Sequence, residues 1–203
     1  MIPAFLHGLI LALGLILPLG VQNLFVFQQG AAHSSFVHIL PVIFTAALCD
    51  TALILLAVQG VSLFLLKFPL FKLILLSIGV VFLTYMGWVT WNDNHVPDEE
   101  APAQKTSPRQ QVIFAASVSL LNPHAVMDTI GVIGTSSSSY EGLEKSLFAF
   151  ACIFVSWVWF FFLAAAGRII GRQAKFSTWR KKINQVSAVF MWLSAAAMAY
   201  SAL

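Results

Sequence analysis

Charge is what this 203-residue chain has least of. Asp, Glu, Lys and Arg make up 9% of it, and none occurs before Asp50. Ordinary soluble domains carry about 25%, so with 59% hydrophobic residues a soluble fold is excluded. Cysteine is scarce too: Cys49 and Cys152 lie singly within apolar stretches. No zinc spacing or disulfide framework can be read from them, and both are expected to be small buried hydrophobes. No metal or cofactor is expected. The chain also lacks a Lys/Arg-rich segment ahead of its first apolar run, which Gln22 and Asn23 interrupt before Gly30, Ala31 and Ala32. That argues against a cleaved signal peptide.

What is there is apolar length. Charge-free runs cover 73–92, 146–167 and 183–203, and 110–140 carries one charge, Asp128. A bilayer span takes about 20 mostly apolar residues. Six spans are therefore expected, near 4–28, 37–60, 70–91, 111–134, 146–167 and 183–203. The fold class is all-α, a polytopic membrane protein. If the spans alternate, eight Lys/Arg residues (Lys105, Arg109, Arg168, Arg172, Lys175, Arg180, Lys181 and Lys182) share one side. Lys67, Lys72 and Lys145 lie on the other. The positive-inside rule puts the first set in the cytoplasm and both termini outside. The basic stretch 168–182 suits anionic lipid headgroups, and no nucleic-acid partner is expected.

Two prolines fall inside apolar spans and share a pattern. Pro18 precedes Asn23 and Pro123 precedes Asp128, each by five residues, and the two pairs are 105 positions apart. A proline there removes a backbone donor and clashes with the preceding turn, a defect of roughly 3 kcal/mol in a helix interior. Broken first and fourth helices are expected. The polar, proline-bearing stretch 92–110 divides the chain into repeat 1 (1–91) and repeat 2 (111–203). Gly60 and Gly167, each closing an apolar run, match at an offset of 107, and Val81-Phe82 and Val189-Phe190 at 108. Three spans per unit force the second unit to enter the membrane upside down. The expected architecture is thus two inverted three-helix repeats, with a binding site at the broken helices near the midplane.

The intramembrane polar groups are the site candidates. A charged Asp at a helix centre costs about 2.5–3.5 kcal/mol on insertion scales. Asp50 and Asp128 must therefore bind a cation, meet water, or stay protonated. Gly20 allows close backbone approach, and the amides of Gln22, Asn23 and Asn122 can donate and accept. His124, directly after Pro123, could shuttle protons or simply pack. Helix breaks expose N–H groups to carboxylates and carbonyls to cations, which suits a zwitterion.

At these residues the chain resembles the lysine exporter family, in particular its lysine/arginine exporter branch. The matching motifs are Leu17-Pro18-Leu19-Gly20-Val21-Gln22-Asn23, Cys49-Asp50 and Leu121-Asn122-Pro123-His124-Ala125-Val126-Met127-Asp128-Thr129. The resemblance implies a secondary transporter of the bacterial inner membrane. It would export L-arginine or L-lysine, driven by proton motive force. Asn23, Asp50, Asn122 and Asp128 would be its functional positions. Its expected partners are the amino acid, protons and the lipid bilayer; whether two copies form a homodimer is left open. Competing readings are export of a neutral amino acid or a divalent metal, a thiol–disulfide electron carrier and an intramembrane aspartyl protease. The carrier would need its cysteines at repeat-equivalent positions, but the offset of 107 pairs Cys49 with Ser156. The protease would need Asp50 and Asp128 to share one water.

Overall fold

A computed structural model describes residues 1–17, 20–33, 35–60, 69–92, 108–120, 126, 129–172, 182, 184–186, 188–189, 191–193, 195–196 and 199–200. All regular structure among them is helical. The elements are α1 (Ile2–Ile16), α2 (Val21–Ala32), a 3-10 turn (Phe36–His38), α3 (Leu40–Val58), α4 (Pro69–Asn92) and α5 (Pro108–Leu120). A π turn (Thr129–Ile133) then runs into the short α6 (Gly134–Ser137), followed by α7 (Gly142–Gly171). The described positions between 182 and 200 are helical as well.

Proline use explains much of this segmentation. Pro3, Pro41, Pro69 and Pro108 all lie at the first or second position of a helix. The first turn has no intrahelical acceptor to offer there, so the missing N–H costs nothing. Gly60 ends α3 with φ +89°, the left-handed conformation that glycine adopts without strain. Gly167, its expected repeat mate, does something else: it lies inside α7, four residues before the helix ends.

α3 and α7 are long and apolar enough to cross a membrane. α1 and α2 pass the same test as a bent pair, their axes turned by 78°, which is the expected break of the first span. The outer faces carry apolar stripes at helical spacing: Ile2, Leu6, Ile10, Leu13 and Leu17 along α1, and Phe150, Phe154, Val158 and Phe162 along α7. Exposure on this scale suits lipid as the surrounding solvent. Of the aromatic run on α7, Phe162 faces outward and Phe160 is buried in the core.

Lipid tails are as apolar as leucine, so helices in a bilayer associate through close packing more than through burial, and small residues supply it. α7 shows this along its length. A Cβ on Gly8 of α1 would come within 2.6 Å of the Phe148 carbonyl oxygen. A Cβ on Gly30 of α2 would overlap the Ala164 carbonyl, and one on Gly167 that of Phe27. The α1–α2 pair therefore runs in the same direction as α7. α3 is antiparallel to α7, because Phe44 meets Phe161 while Ile54 and Val58 join Phe148 and Cys152. These directions agree with alternating spans.

Packing is interleaved between the two sequence halves. α1 and α2 pack on α7, and α3 packs on both α5 and the π turn. α3 packs on α7 as well.

Candidate functional site

The break between α1 and α2 orphans carbonyls at one helix end and N–H groups at the next. Asn23, 5% exposed, answers the first: its Nδ2 donates to the Ile16 carbonyl at 2.6 Å. Leu17 N–H donates to Leu13. On the other side Gly20 is extended (φ −81°, ψ 175°) and precedes the first turn of α2. The first helical bond of α2 runs from Leu24 N–H to the Gly20 carbonyl, so the N–H groups of Val21 and Gln22 have no acceptor within the helix. Val21, Gln22 and Asn23 in this first turn are buried, whereas Gly20 ahead of them is exposed, and the positive end of the α2 dipole lies there.

Asp50 stands near the midpoint of α3 and reaches this end of α2 through Gln22, whose Nε2 donates to Asp50 Oδ1 at 3.0 Å. The Ser156 side chain of α7 lies beside the same carboxylate. One residue on, Trp157 Nε1 donates to Thr51 Oγ1 at 3.1 Å. Cys49, on the other flank, touches Ser119 of α5. Helices α2, α3, α5 and α7 thus converge on residues 49–51. Cys152 lies in a different cluster, its thiol against the Gly8 carbonyl at 3.6 Å.

Of the residues singled out in the sequence, Gly20, Gln22, Asn23 and Asp50 are thereby brought to one junction. Pro18, Asn122, Pro123, His124 and Asp128 lie outside the described residues. Their described neighbours do approach the junction: Val126 and Ile130 are buried against Leu53 and Ala57, which lie one and two turns beyond Asp50 on α3. The π turn begins directly after Asp128, and such insertions frequently mark functional sites in helices. Ser156 and Trp157 were not legible as site residues. The signal for Ser156 was a lone hydroxyl in an apolar span, and it needed α3 beside it to acquire meaning.

Compared with known proteins, the chain matches the family described as "LysE type translocator" over residues 13–202. It belongs to the LysE type translocator family. A relative from Bacillus subtilis (strain 168), "Putative amino-acid transporter YisU", is 51% identical over 193 residues, 95% of this chain and 87% of that protein. "Arginine exporter protein ArgO" of Serratia proteamaculans (strain 568) is 32% identical over 195 residues, 95% of this chain and 94% of its own length. The protein of the same name from Yersinia enterocolitica is 32% identical over 200 residues, 96% and 95% of the two chains. No solved structure matches. Membership of a translocator family makes the chain a transport protein rather than an enzyme, and accords with its apolar helices.

Proposed function

We propose that this LysE-type protein exports a basic amino acid, L-arginine or L-lysine, across the bacterial inner membrane, coupled to proton motive force. The single observation that carries the reading is the junction of Asp50 with the α2 N-terminus, bridged by Gln22 at 3.0 Å. A half-helix N-terminus attracts a carboxylate, and an intramembrane carboxylate attracts a cation. Side by side they offer both charges that an α-amino acid carries. Relatives named as arginine exporters support the cationic side chain.

In this reading Asp50 and Asp128 bind the cationic groups or exchange them for protons. The substrate carboxylate goes to the backbone N–H groups at the start of α2, with Asn122 and His124 contributing from the fourth span. Asn23 keeps the break intact, because its Nδ2 is committed to Ile16. The cytoplasm lies on the side of Arg109 and Arg168, the α2 C-terminus and the α5 N-terminus. The two halves are inverted repeats that exchange inward and outward conformations around the junction.

The experiment is efflux of labelled arginine and lysine from vesicles loaded with each, with and without an imposed pH gradient. Export stimulated by the gradient is expected. Export of neutral amino acids or divalent metals in place of the basic ones would overturn the substrate assignment, and indifference to the gradient would overturn the coupling.

A further inference from the structure

A cavity of about 490 Å³ lies between α2 and α5, lined by Phe25 and Gln29 of α2 and by Gln110, Gln111, Phe114 and Ser117 of α5. Its size is that of a small-molecule site, roughly 300–1,000 Å³. None of these residues belongs to the Asp50 junction, yet the cavity leads towards it. Phe25 is three residues from Gln22, less than one turn, and Ser117 is three residues from the α5 C-terminus at Leu120. At its other end Gln29 and Gln111 lie beside His33, which contacts the Gln29 carbonyl oxygen at 3.0 Å and Gln111 Nε2 at 3.2 Å. That is the end of Arg109 and Arg168.

Between the two ends the rings of Phe25 and Phe114 approach to 4.4 Å between centroids. We propose that the end of this cavity beside Gln29 and Gln111 is a cytoplasmic waiting site for the transported amino acid, and that the Phe25–Phe114 pair is the gate between it and the Asp50 junction. The inference rests on the export reading and deepens it. Gln29 Oε1 is buried and accepts no hydrogen bond among the described residues. A buried acceptor without a donor is costly, and the ligand that relieves it must bring a hydrogen-bond donor, of which an ammonium or guanidinium carries several. The faces of Phe25 and Phe114 attract the same cation. A lipid chain in this groove would bring no donor and would leave Gln29 Oε1 unpaired.

Transport and thiol labelling test it together. In a Cys49→Ser, Cys152→Ser background that still exports, Gln110→Cys should react with a charged, membrane-impermeant maleimide added from the cytoplasmic side. Ser117→Cys should react several-fold more slowly, and adding Phe25→Ala should remove most of that difference. Arginine should protect both cysteines. Gln29→Leu should raise the cytoplasmic-side KM for export roughly ten- to a hundredfold, the loss of one hydrogen bond to a charged group, with the maximal rate retained. In a protein that exports arginine, labelling without protection, or reaction only with a lipophilic reagent, refutes the site alone. Absence of basic amino-acid export from the unaltered protein refutes the functional reading and the site with it.

Discussion

Replacing Asp50 by Asn separates the two things a buried carboxylate can do. Asn keeps an oxygen where Gln22 Nε2 donates at 3.0 Å, so the link between α3 and α2 is preserved. The negative charge leaves, and one acceptor oxygen becomes an amide nitrogen. Insertion cannot suffer from this, because a charged Asp at a helix centre costs about 2.5–3.5 kcal/mol and a neutral amide costs less. The folded protein should therefore be made in at least its usual amount. Transport should not survive. Truncating one partner of a buried, hydrogen-bonded charge pair costs roughly 2–5 kcal/mol, which corresponds to a fall of about 30-fold to several thousand-fold in transport efficiency. Efflux of labelled arginine per folded molecule, quantified by size-exclusion profile and immunodetection, measures it. Wild-type efflux by a fully inserted Asn variant would refute the reasoning and leave Asp50 a structural partner of Gln22.

Asp128→Asn is expected to abolish export with insertion intact, on the argument that two carboxylates serve the cationic group and the proton; the same efflux assay checks it. Gly167→Leu should lower thermal stability in detergent by at least the 1–3 kcal/mol typical of overpacking, since even a Cβ there meets the Phe27 carbonyl. Gly131→Leu, where a Cβ meets nothing within 4 Å, is the control and should melt closer to wild type.

The helices were legible because the bilayer imposes their length and proline sets their starts. The break after Ile16 was legible for the same reason, as a proline within a span has few outcomes. Bounds drawn at charges fell short on α7, expected over 146–167 and found over Gly142–Gly171. Glu144 lies in its first turn and Arg168 in its last. Both signs suit the helix dipole, so the helix continues through charges that headgroups and water can solvate. The glycine pairing was read from sequence as one feature used twice. In fact Gly60 supplies a left-handed turn, whereas Gly167 lets the α2 backbone approach α7. Either use selects glycine, so composition alone does not separate them. Likewise, the 2.6 Å bond from Asn23 to the Ile16 carbonyl needed both half-helices in view.

If the two halves are inverted repeats, as proposed, particular side chains should meet. In a molecule with a pseudo-two-fold axis, equivalent positions are far apart except beside the axis, where a residue touches its own mate. Trp192 Nε1 donates to the Thr84 carbonyl at 3.2 Å; these residues are 108 positions apart, the offset at which Val81-Phe82 matches Val189-Phe190. Asp50 with Ser156, and Thr51 with Trp157, are each 106 apart, one short of the offset between Gly60 and Gly167. On the inverted-repeat proposal, one of these contacts lies at the repeat offset and two lie one residue from it, which would place the axis between α3 and α7 near Asp50 and again where Thr84 meets Trp192. A carboxylate beside such an axis stays near the centre of any motion that exchanges the two halves. In the proposed mechanism that is where a group would stand to be presented first to one side of the membrane and then to the other.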